Sequence, residues 1–189
     1  MIFEPTRLEG AWLVSLEHKK DSRGFFARTW CREEFAAQGL DTEIAQQSMS
    51  HTVGRGMLRG LHFQRDPHQE IKLVRCLRGA VYDVILDLRP LSRTYLQWQA
   101  FELTAENGDA LYIPKGLAHG FQTLTAHAEV GYQMSVPYAA EAATGFCHDD
   151  PAFGIRWPLP VESMSERDRS WPDFPGPLLA LASTGLHSA

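Results

Sequence analysis

The chain has 189 residues, 44% of them hydrophobic and 22% charged, with a formal net charge of -5. That is enough apolar material for a substantial core, and the negative balance argues against a dedicated nucleic-acid binder, which needs a positive surface. Cys31, Cys76 and Cys147 stand far apart without a Cys-x-x-Cys pair, so neither a disulfide framework nor a zinc site is predicted. No run of about 18 apolar residues occurs, and Met1-Ile2-Phe3-Glu4-Pro5-Thr6 lacks the basic and apolar regions of a secretory signal. These features predict a soluble, cytoplasmic protein with no membrane partner.

Residues 1–18 read as a short apolar piece, a turn at Gly10 and a strand over 11–17. Asp21-Ser22-Arg23-Gly24 has the composition of a turn, 25–30 reads as a strand, and 32–39 as one short helix ended by Gly39. From Ile44 onward short β-rich runs recur at 46–51, 58–64, 71–77, 81–89, 95–103, 110–114, 119–123 and 129–136. Arg78-Gly79 and Glu106-Asn107-Gly108-Asp109 punctuate them, which predicts an antiparallel all-β fold rather than βαβ units. After Tyr138 the chain is proline-rich, with Trp157-Pro158-Leu159-Pro160 and Trp171-Pro172-Asp173-Phe174-Pro175, and is expected to wrap the β core irregularly. The last dozen residues are weakly patterned and expected to fray. Nothing marks a linker, so one domain over 1–189 is predicted, with a β core over about 46–137 between an N-terminal part and an irregular C-terminal segment.

Chemistry centres on Arg59-Gly60-Leu61-His62-Phe63-Gln64. With period 2, Leu61 and Phe63 face one way and His62 and Gln64 the other, which directs the imidazole into a polar pocket away from the main apolar layer. The competing reading is a histidine that holds a structural hydrogen bond. A second stretch, Gly108-Asp109-Ala110-Leu111-Tyr112-Ile113-Pro114-Lys115-Gly116-Leu117-Ala118-His119, resembles the second motif of the cupin double-stranded β-helix, an all-β jelly roll. Metal-dependent cupins carry two histidines and a glutamate in the first motif. Here Gln64 stands where the second histidine would, and the nearest glutamate is Glu70, so no metal is predicted.

Several blocks in order narrow the resemblance. Asp21-Ser22-Arg23-Gly24-Phe25-Phe26, Arg59 to Gln64, Lys72-Leu73-Val74-Arg75, Asp83-Val84-Ile85-Leu86-Asp87-Leu88-Arg89, Ile113 to Phe121, Asp149-Asp150-Pro151 and Ser165-Glu166-Arg167-Asp168 resemble the dTDP-4-dehydrorhamnose 3,5-epimerase family of metal-free cupins, over most of the chain to about residue 170. The resemblance implies a jelly roll with short peripheral helices, no cofactor, a nucleotide-sugar substrate and a homodimer built through strands within residues 1–45. In a 4-keto-6-deoxy hexose, C3 and C5 both flank the C4 ketone, so one enolising site can treat both, with a base on one ring face and a proton donor on the other.

By the same resemblance His62 is the base, Asp168 orients it, Tyr132 is the donor and Lys72 holds the O4 oxyanion. Arg23 and Arg59 bind the diphosphate, and Phe26, Gln47, His119 and Tyr138 lie near sugar or base. Each has a plain structural alternative. Ser165-Glu166-Arg167-Asp168 reads equally as a capping box, Tyr132 as a half-buried strand tyrosine, and Lys72, Arg23 and Arg59 as surface charges. Three positions depart from the family pattern: Met49 for an amide expected to bond the ligand, and Arg28 and Ala143 for glutamates. They leave acid–base chemistry in place and alter recognition or a subunit interface. Three alternatives stay open: inversion at C3 alone, a silent sugar-nucleotide-binding cupin, and a metal-dependent oxygenase.

Overall fold

The computed structural model describes residues 1–176, so the expectation for the last dozen residues lies outside the described residues. β1 (Ile2–Pro5) and β2 (Trp12–Ser15) precede a hairpin of β3 (Lys19–Asp21) and β4 (Gly24–Phe26), then α1 (Arg32–Ala37). β5 (Gln46–Val53), β6 (Leu58–Gln64), β7 (Lys72–Arg78), β8 (Ala80–Asp87), β9 (Trp98–Thr104), β10 (Ala110–Ile113), β11 (Leu117–Thr123) and β12 (His127–Met134) follow, with β13 (Ala143–Gly145) and α2 (Glu166–Arg169) in the C-terminal segment. Two antiparallel sheets, in the orders β1-β2-β10-β7-β12-β5 and β13-β6-β11-β8-β9, form the jelly roll that the sequence predicts. No helix among the described residues is long and apolar enough to cross a membrane.

β8 explains why its run looks so uniformly apolar. Val81 and Ile85 enter the cluster between the sheets, with Val74, Leu111, Phe121 and Val130. Val84 and Leu86 point the other way, under Phe153 and the C-terminal aromatic residues Phe146, Trp157 and Phe174. Covered on both faces, such a strand has no polar side to show. The C-terminal segment thus wraps the outer face of the five-stranded sheet, as its prolines and tryptophans suggest. On the outer face of the other sheet, α1 buries Phe35 against Val14, Ala110 and Tyr112, an anchor of about 2–3 kcal/mol. Gly39, at φ +71°, ends that turn of chain.

One strand is shorter than expected. The 25–30 run is paired only to Phe26, because β3 and β4 form an isolated two-stranded ribbon whose residues are all exposed, and no third strand continues the ladder. Inside the barrel polarity changes along the strands. β7 runs from buried Cys76 through Val74 to Lys72, and β11 from Phe121 to His119, so one end of the interior is packed and the other is an open polar cavity.

Candidate active site

The cavity measures about 420 Å³ and brings together Arg59, His62, Lys72, His119, Tyr132, Tyr138 and Asp168. Simple alternation would put Arg59 and His62 on opposite faces of β6. The pairing prevents this: β11 advances two residues from His119, opposite His62, to Phe121, opposite Arg59, while β6 advances three. The extra residue is a bulge that turns Arg59 back to the cavity, where its Nε donates to Thr52 Oγ1 at 3.0 Å. Gly60 makes the bulge possible. At φ +120°, a Cβ there would stand 2.5 Å from Gly120 Cα and 2.8 Å from the His119 carbonyl oxygen.

His62 and Asp168 form a dyad. His62 Nε2 lies 2.6 Å from Asp168 Oδ1, and the backbone N–H of Gly60 donates to Oδ2 at 3.4 Å. The Asp168 side chain is 6% exposed while His62 keeps 43%, so the carboxylate is sealed and the ring opens to the cavity. Burial works to raise the Asp168 carboxyl, but the bonds from His62, Gly60 and Ser165 outweigh it and hold the group below the ordinary carboxylate range. The capping alternative is also realised: Ser165 Oγ accepts from the Asp168 backbone N–H at 3.0 Å and starts α2. One residue therefore serves both purposes, its main chain in the cap and its side chain on the histidine. Buried Gln122 clamps the preceding chain, donating to the Leu159 carbonyl at 3.0 Å and accepting from the Leu159 N–H at 3.1 Å.

Tyr132 rises from β12, in the sheet that faces His62, so phenol and imidazole stand on opposite walls. Burial pushes the phenol up strongly, against the opposing effect of the Ser50 hydroxyl 3.3 Å away. A phenol in that environment is held protonated. His119 packs edge-on to Tyr132 and its Nε2 lies 2.9 Å from Asp83 Oδ2, both residues buried. Lys72 is 8% exposed and points inward, as its alternation with Ile71 and Leu73 predicts; its Nζ is 2.7 Å from Glu70 Oε1.

Three predicted positions fall outside this cavity. Gln47 is exposed on the outer face of β5, because Ser48 pairs with Tyr132 and parity gives the inner face to Gln46, Ser48 and Ser50. Met49 shares that outer face at 62% exposure, so the expectation that it replaces a ligand-binding amide in this chain's own cavity is corrected on the same ground. Arg23 and Phe26 sit on the exposed β3–β4 hairpin, Arg23 paired with Asp21 and Phe26 71% exposed, away from the cavity of their own chain. Arg28 pairs with Glu34 on the surface, whereas Ala143 does line the cavity.

Sequence reading missed Ser48, Ser50, Glu70, Arg167 and Trp171, all in the lining. Arg167 donates to Tyr138 Oη at 3.2 Å and to the Ala143 carbonyl at 3.3 Å, with its guanidinium 5.0 Å from the Trp171 ring centre. Its place beside Asp168 was the available signal. So was the i, i+2 spacing of Glu70 and Lys72, which puts both on one side of an extended chain.

The model of the family described as dTDP-4-dehydrorhamnose 3,5-epimerase matches residues 5–175. A curated relative of that name from Sinorhizobium fredii is 40% identical over 175 residues, covering 92% of this chain and 90% of its own. The crystal structure of dTDP-4-dehydrorhamnose 3,5-epimerase from Elizabethkingia anophelis superposes with a TM-score of 0.89 at 34% identity, covering 92% of this chain and 96% of that one. That of ChmJ, a 3'-monoepimerase from Streptomyces bikiniensis in complex with dTDP-quinovose, gives 0.83 at 34%, covering 95% and 89%. A match from residue 5 to residue 175 takes in every strand from β2 onward and the segment that delivers Asp168, and the chain belongs to the dTDP-4-dehydrorhamnose 3,5-epimerase family of isomerases.

Proposed function

We propose that the chain, as a single cytoplasmic domain, epimerises C3 and C5 of a nucleoside-diphosphate 4-keto-6-deoxyhexose, using no metal or organic cofactor. The observation that carries this is the buried Asp168 on His62 facing a phenol across one cavity. With Nε2 turned to Asp168, the Nδ1 lone pair of His62 takes the C–H proton. The C–H electron pair moves into the C4 ketone to give an enolate, and the resulting imidazolium is balanced by Asp168. Lys72 faces the O4 oxyanion. Tyr132 gives its proton to the opposite face of the ring, and solvent returns that proton to the phenolate while His62 discharges its own.

Incubation of dTDP-4-keto-6-deoxyglucose with the enzyme in deuterated buffer tests this directly. Deuterium enters at both C3 and C5; no exchange at either centre, across dTDP, CDP, GDP and UDP sugars, overturns it. Inversion at C3 alone is the second reading, favoured by the close structural likeness to a monoepimerase, and label confined to C3 selects it.

The partner is a second copy. Phe25 and Phe26, 58% and 71% exposed on the hairpin with Arg23, and Met49, Val53 and Leu77 on the outer sheet face supply apolar surface that a homodimer covers. In that arrangement Arg23 and Phe26 complete the neighbour's cavity, and Gln47 and Met49 belong to the contact. A monomer by light scattering at micromolar concentration overturns it.

A further inference from the structure

We propose that Glu70 is a positioning residue for this reaction: its carboxylate fixes the Lys72 ammonium where it meets the O4 oxyanion, and ties it to the strand that carries His62. The inference deepens the epimerase reading above and rests on it.

Glu70 lies in the loop that enters β7, two residues before Lys72, and both side chains turn inward. The pair is enclosed, with side chains 8% and 10% exposed, and Glu70 Oε1 is 2.7 Å from Lys72 Nζ. The second carboxylate oxygen is not idle: Oε2 accepts from Gln64 Nε2 at 2.9 Å. Gln64 is 4% exposed and is itself immobilised. Its Nε2 also donates to the His68 carbonyl at 3.0 Å, and its Oε1 accepts from the Ala139 N–H at 2.7 Å. Rotating that amide would orphan buried groups, so the carboxylate is held from behind.

Three consequences follow for Lys72. A four-carbon stem that could sweep the cavity is restricted to one place. Of three ammonium hydrogens, one goes to Glu70 and a second points weakly at the His62 carbonyl oxygen, 3.5 Å away, which leaves one for substrate. Gln64 stands two residues beyond His62 on β6, so the chain Gln64, Glu70, Lys72 sets the distance between the base and the oxyanion holder. Such prior placement is what electrostatic stabilisation of an enolate needs. An exposed pair would not supply it; enclosure makes the difference.

The test is a double-mutant cycle with dTDP-4-keto-6-deoxyglucose, reading kcat, KM and solvent deuterium uptake. Glu70→Gln keeps the volume and one acceptor. It lowers kcat about 10- to 100-fold, the effect of losing one charge-assisted contact at the transition state, and moves KM less than about threefold. In a Lys72→Met background the same substitution costs nothing further, because Glu70 acts only through the ammonium. Wild-type kcat in Glu70→Gln overturns the proposal, and so do additive losses in the double variant. If Glu70→Gln is unfolded at the assay temperature, Glu70→Asp decides, since withdrawing the carboxylate by one methylene lowers kcat and an unchanged value refutes the role. Absence of exchange by the wild-type enzyme sinks the epimerase reading and this one with it, whereas active wild type with indifferent Glu70 variants sinks this one alone.

Discussion

Replacing Asp168 by Asn removes a charge and almost nothing else. The Ser165 cap uses the backbone N–H of residue 168, so α2 keeps its start, and the amide oxygen can still accept from Gly60. The loss is confined to the 2.6 Å contact with His62 in a pocket where the carboxylate is 6% exposed. A charge-assisted hydrogen bond there is worth about 1.5–3 kcal/mol in the ground state. When His62 takes a proton, the attraction between imidazolium and carboxylate adds about 4 kcal/mol at an effective dielectric of 20 and 4 Å separation. The two overlap, so about 3–5 kcal/mol of transition-state stabilisation disappears, which lowers kcat by about 10²- to 10⁴-fold. Epimerisation and deuterium uptake followed by NMR measure it, with thermal melting as control. Asp168→Asn turning over within about threefold of wild type refutes the dyad.

The same substitution has a pH signature. The folded Asp168 carboxyl lies below its unfolded value, so its contribution to stability is complete above about pH 3.9 and is lost as pH falls through the folded value. The melting-temperature gap between wild type and Asp168→Asn is therefore widest near neutrality and closes in strong acid; a gap that widens in acid contradicts the assignment. Tyr132→Phe separates the two proton transfers: His62 still removes and returns a proton on its own face, so exchange persists while the inverted product falls by about 10²-fold or more, and equal loss of both refutes the assignment of the donor. Gly60→Ala forces a Cβ to 2.5 Å from Gly120 at a left-handed φ, at a cost of about 2–4 kcal/mol and a melting temperature lower by about 5–15 °C; a neutral result denies the bulge. Arg23→Ala and His62→Ala chains, each impaired alone, regain about a quarter of wild-type activity when unfolded and refolded together, because half of random dimers are mixed and each holds one complete site. No recovery argues that Arg23 serves no neighbouring cavity.

Much of this architecture is legible in the sequence, for reasons that differ by element. The β8 run and the Gly108 to His119 stretch declare themselves because both faces of one are covered and the other needs glycine and proline at fixed corners. Lys72 is legible from alternation, since β7 is regular from Cys76 to the cavity. Gln47 is not: a stretch with glutamine on both faces, serines on one and an exposed methionine on the other gives no hydrophobic phase that marks a core side, and only its pairing with Tyr132 through Ser48 fixes which side turns inward. Arg59 reaches the cavity only through an extra residue in β6, which period-2 reading cannot anticipate. Glu70 and Arg167 were hidden for another reason. What they do shows only in partners that no periodic pattern names, Gln64 on β6 for one and Tyr138, 29 residues back, for the other.

The dyad joins residues 106 positions apart, one on the sixth strand and one on the strap that lies over the finished barrel. On the proposed assignment, activity therefore depends on the docking of that strap: a barrel whose strap is undone from Leu159 onward keeps β1 to β13 and loses the carboxylate that orients its base. Protease cleavage near Leu159, where Gln122 pins the strap, should silence the enzyme while the β-sheet circular dichroism persists, so turnover registers an event that spectroscopy of the sheets would miss.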